Sequence, residues 1–134
     1  MKALSLTQPW ATLVVSGAKL FETRSWTTRY RGPLLIHAAK GFPRYARDFA
    51  ISVLGLSPEN LHFGSIIGRV DLKNIYRAEE IAPTLTAREL LYGGYMMGRW
   101  AWELTNAVIF DDPIPCKGSL GVFEVGVPLV PVRR

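Results

Sequence analysis

No helical pattern in this chain lasts longer than about three turns, whereas short alternating or β-branched runs recur along it between Gly and Pro breaks. A chain so patterned has too little helix to cover both faces of a parallel sheet, and it folds instead around strands that curl on one another. Strands are expected at 3–6, 20–26, 33–39, 65–76, 99–104, 108–114 and 120–127. Three short helices are expected between them. The first begins at Pro9 with Thr7 as its N-cap, carries Trp10, Leu13 and Val14 on one face and stops at Gly17. The second spans 44–54, with Tyr45, Phe49 and Val53 as its apolar stripe. The third, 86–92, has Thr86 as N-cap and Glu89 as capping-box partner, and Gly93-Gly94 ends it. Gly68, inside the longest β-branched run, marks a bend or bulge. The expected architecture is α+β, a small mixed β-barrel with flanking short helices.

With 134 residues, 49% of them hydrophobic, the chain has material for one core, so residues 1–134 are expected to form a single domain. The longest apolar runs, 11–15 and 33–39, are far shorter than the roughly 20 residues a membrane-spanning helix needs. Cys116 is the sole cysteine and the N-terminus has no long apolar signal core, which points to a cytoplasmic location. His37, His62 and Cys116 stand far apart without CxxC, HxH or HExxH spacing, and no phosphate-binding glycine loop is present; neither metal nor cofactor is expected.

Charge is unevenly spread. Residues 1–50 carry eight Lys and Arg against two acids, although the whole chain is only +5. Clustered bases of this kind suit a polyanion, or else form a solvated basic face. Within that region Lys19, Glu22 and Arg24 place opposite charges inside six residues, and strand alternation puts Glu22 and Arg24 on one side. They form either an ion-paired brace or a site. As a site, Lys19 would hold phosphate or act as a base, Glu22 would bond a base edge or move a proton, and Arg24 would orient Glu22 or grip phosphate. Trp10 and Trp26 flank the cluster and can stack on a base or pack in the core. Trp100 and Trp102 are read as barrel packing, and Cys116 as structural. Arg31, Lys40 and Lys117 are the further candidates for a phosphate track, and His37, in a strongly apolar strand, is a hydrogen-bonded core residue or a ligand contact.

The elements Gln8-Pro9-Trp10, Gly17-x-Lys19-x-x-Glu22-x-Arg24, Arg31-Gly32 with Ile36-His37-Ala38, and the later Gly64-to-Val70, Trp100-to-Leu104 and Pro113-to-Gly118 segments resemble the ASCH domain family, a branch of the PUA-like folds. The resemblance implies a PUA-like barrel with a polar cleft where the first helix meets it, and a ligand that is RNA or a nucleotide. Read as a binding module, the chain is expected to build that cleft from Gln8, Trp10, Lys19, Glu22, Arg24, Trp26 and His37. Some small bacterial relatives are metal-independent amidohydrolases that deacetylate N4-acetylcytidine, and ribonuclease activity is attributed to others. In the deacetylating relatives the element reads K-x-x-T, whereas Glu22 stands at the threonine position here, and Thr23 next to it points to the opposite face. Glu79, Glu80 and Glu89 are the candidates for those enzymes' second glutamate. The leading expectation is therefore an RNA or modified-nucleotide binding domain, and the alternative a hydrolase with Lys19 and Glu22 as its proton-transfer pair.

Overall fold

The computed structural model describes residues 1–126, so the end of the strand expected at 120–127 lies outside the described residues. Six strands form one sheet: β1 (Lys2–Leu6), β2 (Phe21–Arg24), β3 (Gly32–Ala38), β4 (Ser65–Arg77), β5 (Trp100–Pro115) and β6 (Val122–Glu124), in the order β2-β5-β4-β3-β1-β6. β1 and β3 are parallel, with Ser5 opposite His37, and the other pairs are antiparallel. The sheet curls into a half-barrel, the α+β, PUA-like architecture expected from the strand-rich pattern. The runs 99–104 and 108–114 are one continuous strand, β5, bent by register shifts against β4.

Gly68 makes part of that bend possible. A Cβ there would lie 2.3 Å from the Val108 carbonyl oxygen and 2.7 Å from Val15 Cγ1, so only a glycine lets β5 and the first helix approach so closely. That helix, α1 (Trp10–Val15), lies in the hollow of the half-barrel, with Ala11 and Val14 in a core that includes Leu4, Leu34, Ile36, Leu72 and Trp102. A smaller cluster, Ala3, Leu35, Ile66 and Phe110, covers the other face, as alternation along β1 and β3 requires.

Two helical details differ from expectation. Thr7 does not cap α1; the cap position is Pro9, and Gln8 accepts from the Thr12 N–H instead. The segment 44–54 is α2 (Arg44–Asp48) followed by a π turn, Phe49–Val53, and its buried face is Ala46 and Ala50, not Tyr45, Phe49 and Val53. Small residues let this helix sit close to the barrel while its large rings swing outward. After α3 (Ala78–Ile81), α4 (Ala87–Tyr92) is capped by Thr86 as expected, with the Glu89 N–H donating to Thr86 Oγ1. No helix among the described residues is long and apolar enough to cross a membrane.

Candidate nucleic-acid interface

β2 is an end strand of the sheet, and the way its free edge is satisfied builds the site. One side of β2 pairs with β5; the outward N–H and C=O groups of Phe21 and Thr23 need other partners. The Glu89 carboxylate on α4 accepts from the N–H of Leu20 and of Phe21 at 3.0 and 3.1 Å. Lys19 Nζ donates to the Phe21 carbonyl, and Arg99 Nη2 to the Thr23 carbonyl at 2.9 Å. Thr23 Oγ1 accepts from the Gly94 N–H at 3.1 Å. The capping-box role expected for the Glu89 carboxylate is thus replaced by a role as the edge cap of another strand.

Glu22 and Arg24 project from the other face of β2. Glu22 Oε1 lies 3.2 Å from Lys19 Nζ and Glu22 Oε2 lies 3.2 Å from Arg24 Nε, while Arg24 Nη2 donates to the Ser5 carbonyl at 2.7 Å. The Lys19 side chain is 1% exposed, that of Glu22 13% and that of Arg24 24%, so the triad opens toward solvent at its guanidinium end. All three line a cavity of about 490 Å³. The ion-paired brace is thus also part of a cavity wall.

Facing the triad is an aromatic wall. Trp10 stacks on Phe49 at 5.2 Å between centroids, with Tyr45 at 6.0 Å from Trp10 and Tyr92 edge-on to Phe49 at 6.3 Å. Trp26 lines the same cavity and packs edge-on against buried Trp102 at 4.9 Å. Arg99 and the Gly93-Gly94 turn complete the rim. Next to them, burial, and after it the carboxylates of Glu89 and Glu22, hold the Tyr95 phenol well above its ordinary pKa.

The cavity therefore brings together Trp10, Lys19, Glu22, Arg24 and Trp26 from the sequence-derived set, and leaves out Gln8, Arg31, His37, Lys40 and Lys117. Gln8 is fully buried, and its amide bonds the Thr12 N–H and the His62 carbonyl. Arg31 is exposed and donates to the Thr28 and Tyr30 carbonyls. His37, Lys40 and Lys117 line a separate hollow. Glu79, Glu80 and Glu89 do not line the first cavity, where Glu22 is the one carboxylate among the described residues. Sequence reasoning missed Tyr45, Phe49, Tyr92 and Arg99. The signal for the first two was the Ala46, Ala50 spacing, a second i, i+4 stripe that competes for the core.

The family model of the ASCH domain matches residues 4–114. The chain belongs to the ASCH domain family. This family is associated with RNA binding. Among curated proteins, the ASCH chain is 38% identical over 77 residues to human activating signal cointegrator 1 and 36% identical over 77 residues to the mouse protein. Each match covers 52% of this chain but only 13% of the relative's length. Among solved structures, the ASCH protein of Zymomonas mobilis superposes with a TM-score of 0.54 at 21% identity, over 84% of this chain and 71% of that one, a likeness of fold.

Proposed function

We propose that this ASCH domain binds single-stranded RNA, or a modified nucleoside within it, in the cavity between α1 and β2. The observation that carries the reading is the pairing of two unlike walls around one opening, stacked aromatic rings on one side and the Lys19–Glu22–Arg24 triad on the other. Rings of this kind accept the face of any base, each stack being worth about 1–3 kcal/mol. A carboxylate has more acceptor positions than its two ion pairs occupy, so Glu22 retains capacity for an amino group such as cytosine N4. Lys19, Arg24 and Arg99 against the single Glu22 leave the lining net positive, which favours an anionic chain over a neutral ligand.

Trp10 and Trp26 provide the readout. Titration with short single-stranded RNAs is expected to quench tryptophan fluorescence, with affinity that falls as salt rises. Trp10→Ala is expected to weaken binding by about 5- to 150-fold, the equivalent of one lost stack. Unchanged affinity in a Trp10→Ala, Arg24→Ala double variant contradicts this site.

Hydrolysis of an acylated pyrimidine nucleoside is the second reading, favoured by the 3.2 Å contact between the Lys19 ammonium and the Glu22 carboxylate, a distance suited to proton transfer. Against it, both Glu22 oxygens already face cations and no other carboxylate among the described residues lines the cavity. Incubation with N4-acetylcytidine at high protein concentration, followed by mass spectrometry, is expected to return the nucleoside intact. Loss of the acetyl group would replace binding with catalysis.

A further inference from the structure

The hollow that holds His37, Lys40 and Lys117 lies against the same piece of β1 as the first cavity, because Ser5 lines both. The two oxygens of Ser5 divide between them. The Ser5 carbonyl accepts from Arg24 in the first cavity, while Ser5 Oγ lies 2.9 Å from His37 Nδ1 in the second. We propose that the second hollow receives the neighbouring nucleotide of the bound strand, its phosphate between Lys40 and Lys117 and its base against Phe63, so that the preferred ligand is an oligonucleotide and not a free nucleoside. This rests on the reading of the first cavity as a base site.

The second hollow differs from the first in charge. Lys40 and Lys117 are exposed, and no carboxylate is among the described residues that line it. A pair of exposed ammonium groups suits a phosphodiester, and Phe63, already packed on Phe42 at 5.0 Å, offers an apolar platform beside it. The turn carrying Lys117 is held in place from below. His37 Nε2 donates to the Cys116 carbonyl at 2.6 Å, which leaves Nδ1 to accept from the Ser5 hydroxyl. Gly118 rests directly on this pair, since a Cβ there would lie 2.8 Å from His37 Cε1. Across the hollow, the Gln8 amide ties the His62 carbonyl, next to Phe63, to the start of α1. Both hollows are thus built against Ser5.

The test compares cytidine with di- and tetracytidylate, using the wild-type protein, a Lys40→Gln, Lys117→Gln double variant, and Arg31→Ala as an exposed cation lining neither hollow. The expected result is dinucleotide binding at least about tenfold tighter than cytidine in the wild type and in Arg31→Ala, with that gain lost in the double variant. The salt slope is expected to fall by about 0.7, the value for one phosphate contact on a single strand. A dinucleotide that binds no tighter than cytidine, or a double variant with the gain and slope of Arg31→Ala, overturns the proposal while leaving the first cavity's reading intact. Failure of both cytidine and tetracytidylate to bind the wild type removes that reading, and the second subsite with it.

Discussion

Arg24 Nη2 donates to the Ser5 carbonyl at 2.7 Å, although β2 and β1 are separated in the sheet by β5, β4 and β3. The guanidinium crosses the open seam of the half-barrel and ties the end strand β2 to β1, the strand next to the opposite end, while its Nε remains 3.2 Å from Glu22. One side chain therefore closes the fold and lines the cavity.

Arg24→Ala removes a charged hydrogen bond and leaves Glu22 with one cation. A loss of about 2 kcal/mol is expected, within the range for bonds to charged groups. Faster amide exchange at Phe21 to Arg24 and at Ser5 should accompany it, because the seam opens. Arg24→Lys keeps the charge but cannot span both partners, so it should fall between. Wild-type exchange rates in Arg24→Ala would show that the seam is closed by other contacts.

The Glu89 carboxylate is 5% exposed as a residue and satisfies two backbone donors of an end strand. Glu89→Ala is expected to destabilise the protein by about 2–4 kcal/mol, the penalty for leaving the buried Phe21 N–H and the part-buried Leu20 N–H without an acceptor. Glu89→Gln retains one acceptor oxygen and should lose less. Denaturant midpoints with equal values for Ala and Gln would contradict the role as edge cap.

Much of this was legible in the sequence, and the parts that were not share a cause. Strand alternation located β1, β2 and β3, and the charged element at Lys19, Glu22 and Arg24 does line a cavity. Periodicity alone could not rank two overlapping stripes in 44–54; Ala46 and Ala50 went inward because α2 lies close to the barrel, which frees Tyr45 and Phe49 for the cavity wall. Glu89 was readable as a helix-cap residue or as a candidate second glutamate, not as an edge cap, since its partners, Leu20 and Phe21, are about seventy residues away in the chain. Likewise His37, Lys40 and Lys117 line one hollow, which shares with the triad's cavity only Ser5, a contact between segments too far apart in the chain for strand alternation to reveal.

Gly68→Ala tests the bend. Its methyl group would meet the Val108 carbonyl oxygen and the Val15 side chain, so β4 and β5 or α1 must move apart. A loss of about 1–3 kcal/mol is expected, the usual range for overpacking. A neutral effect on the thermal midpoint would mean that β5 and α1 are not held against this position.

Tyr95 sets an alkaline limit. Its phenol pKa is raised by burial and by the Glu89 and Glu22 carboxylates, so the folded chain holds the proton more tightly than the unfolded chain does. The resulting stability is complete below the unfolded phenol value of about 10 and is lost as pH rises through it toward the folded value. Tyr95→Phe has no proton to lose there. Tyr30 and Tyr76, whose phenols are also raised, are common to both proteins and cancel. Between pH about 8 and about 11, the wild-type thermal midpoint is therefore expected to drop further than that of Tyr95→Phe. Equal drops would contradict the buried, carboxylate-facing placement of this phenol.

A crystal structure of the protein with a short cytidine-containing RNA addresses the central claim most directly. The expected result is a base against the Trp10 ring, its amino edge within hydrogen-bonding distance of Glu22 and its phosphate beside a cation of the rim. RNA bound on another face, with the cavity between Trp10 and the Lys19–Glu22–Arg24 triad left to solvent, would contradict it.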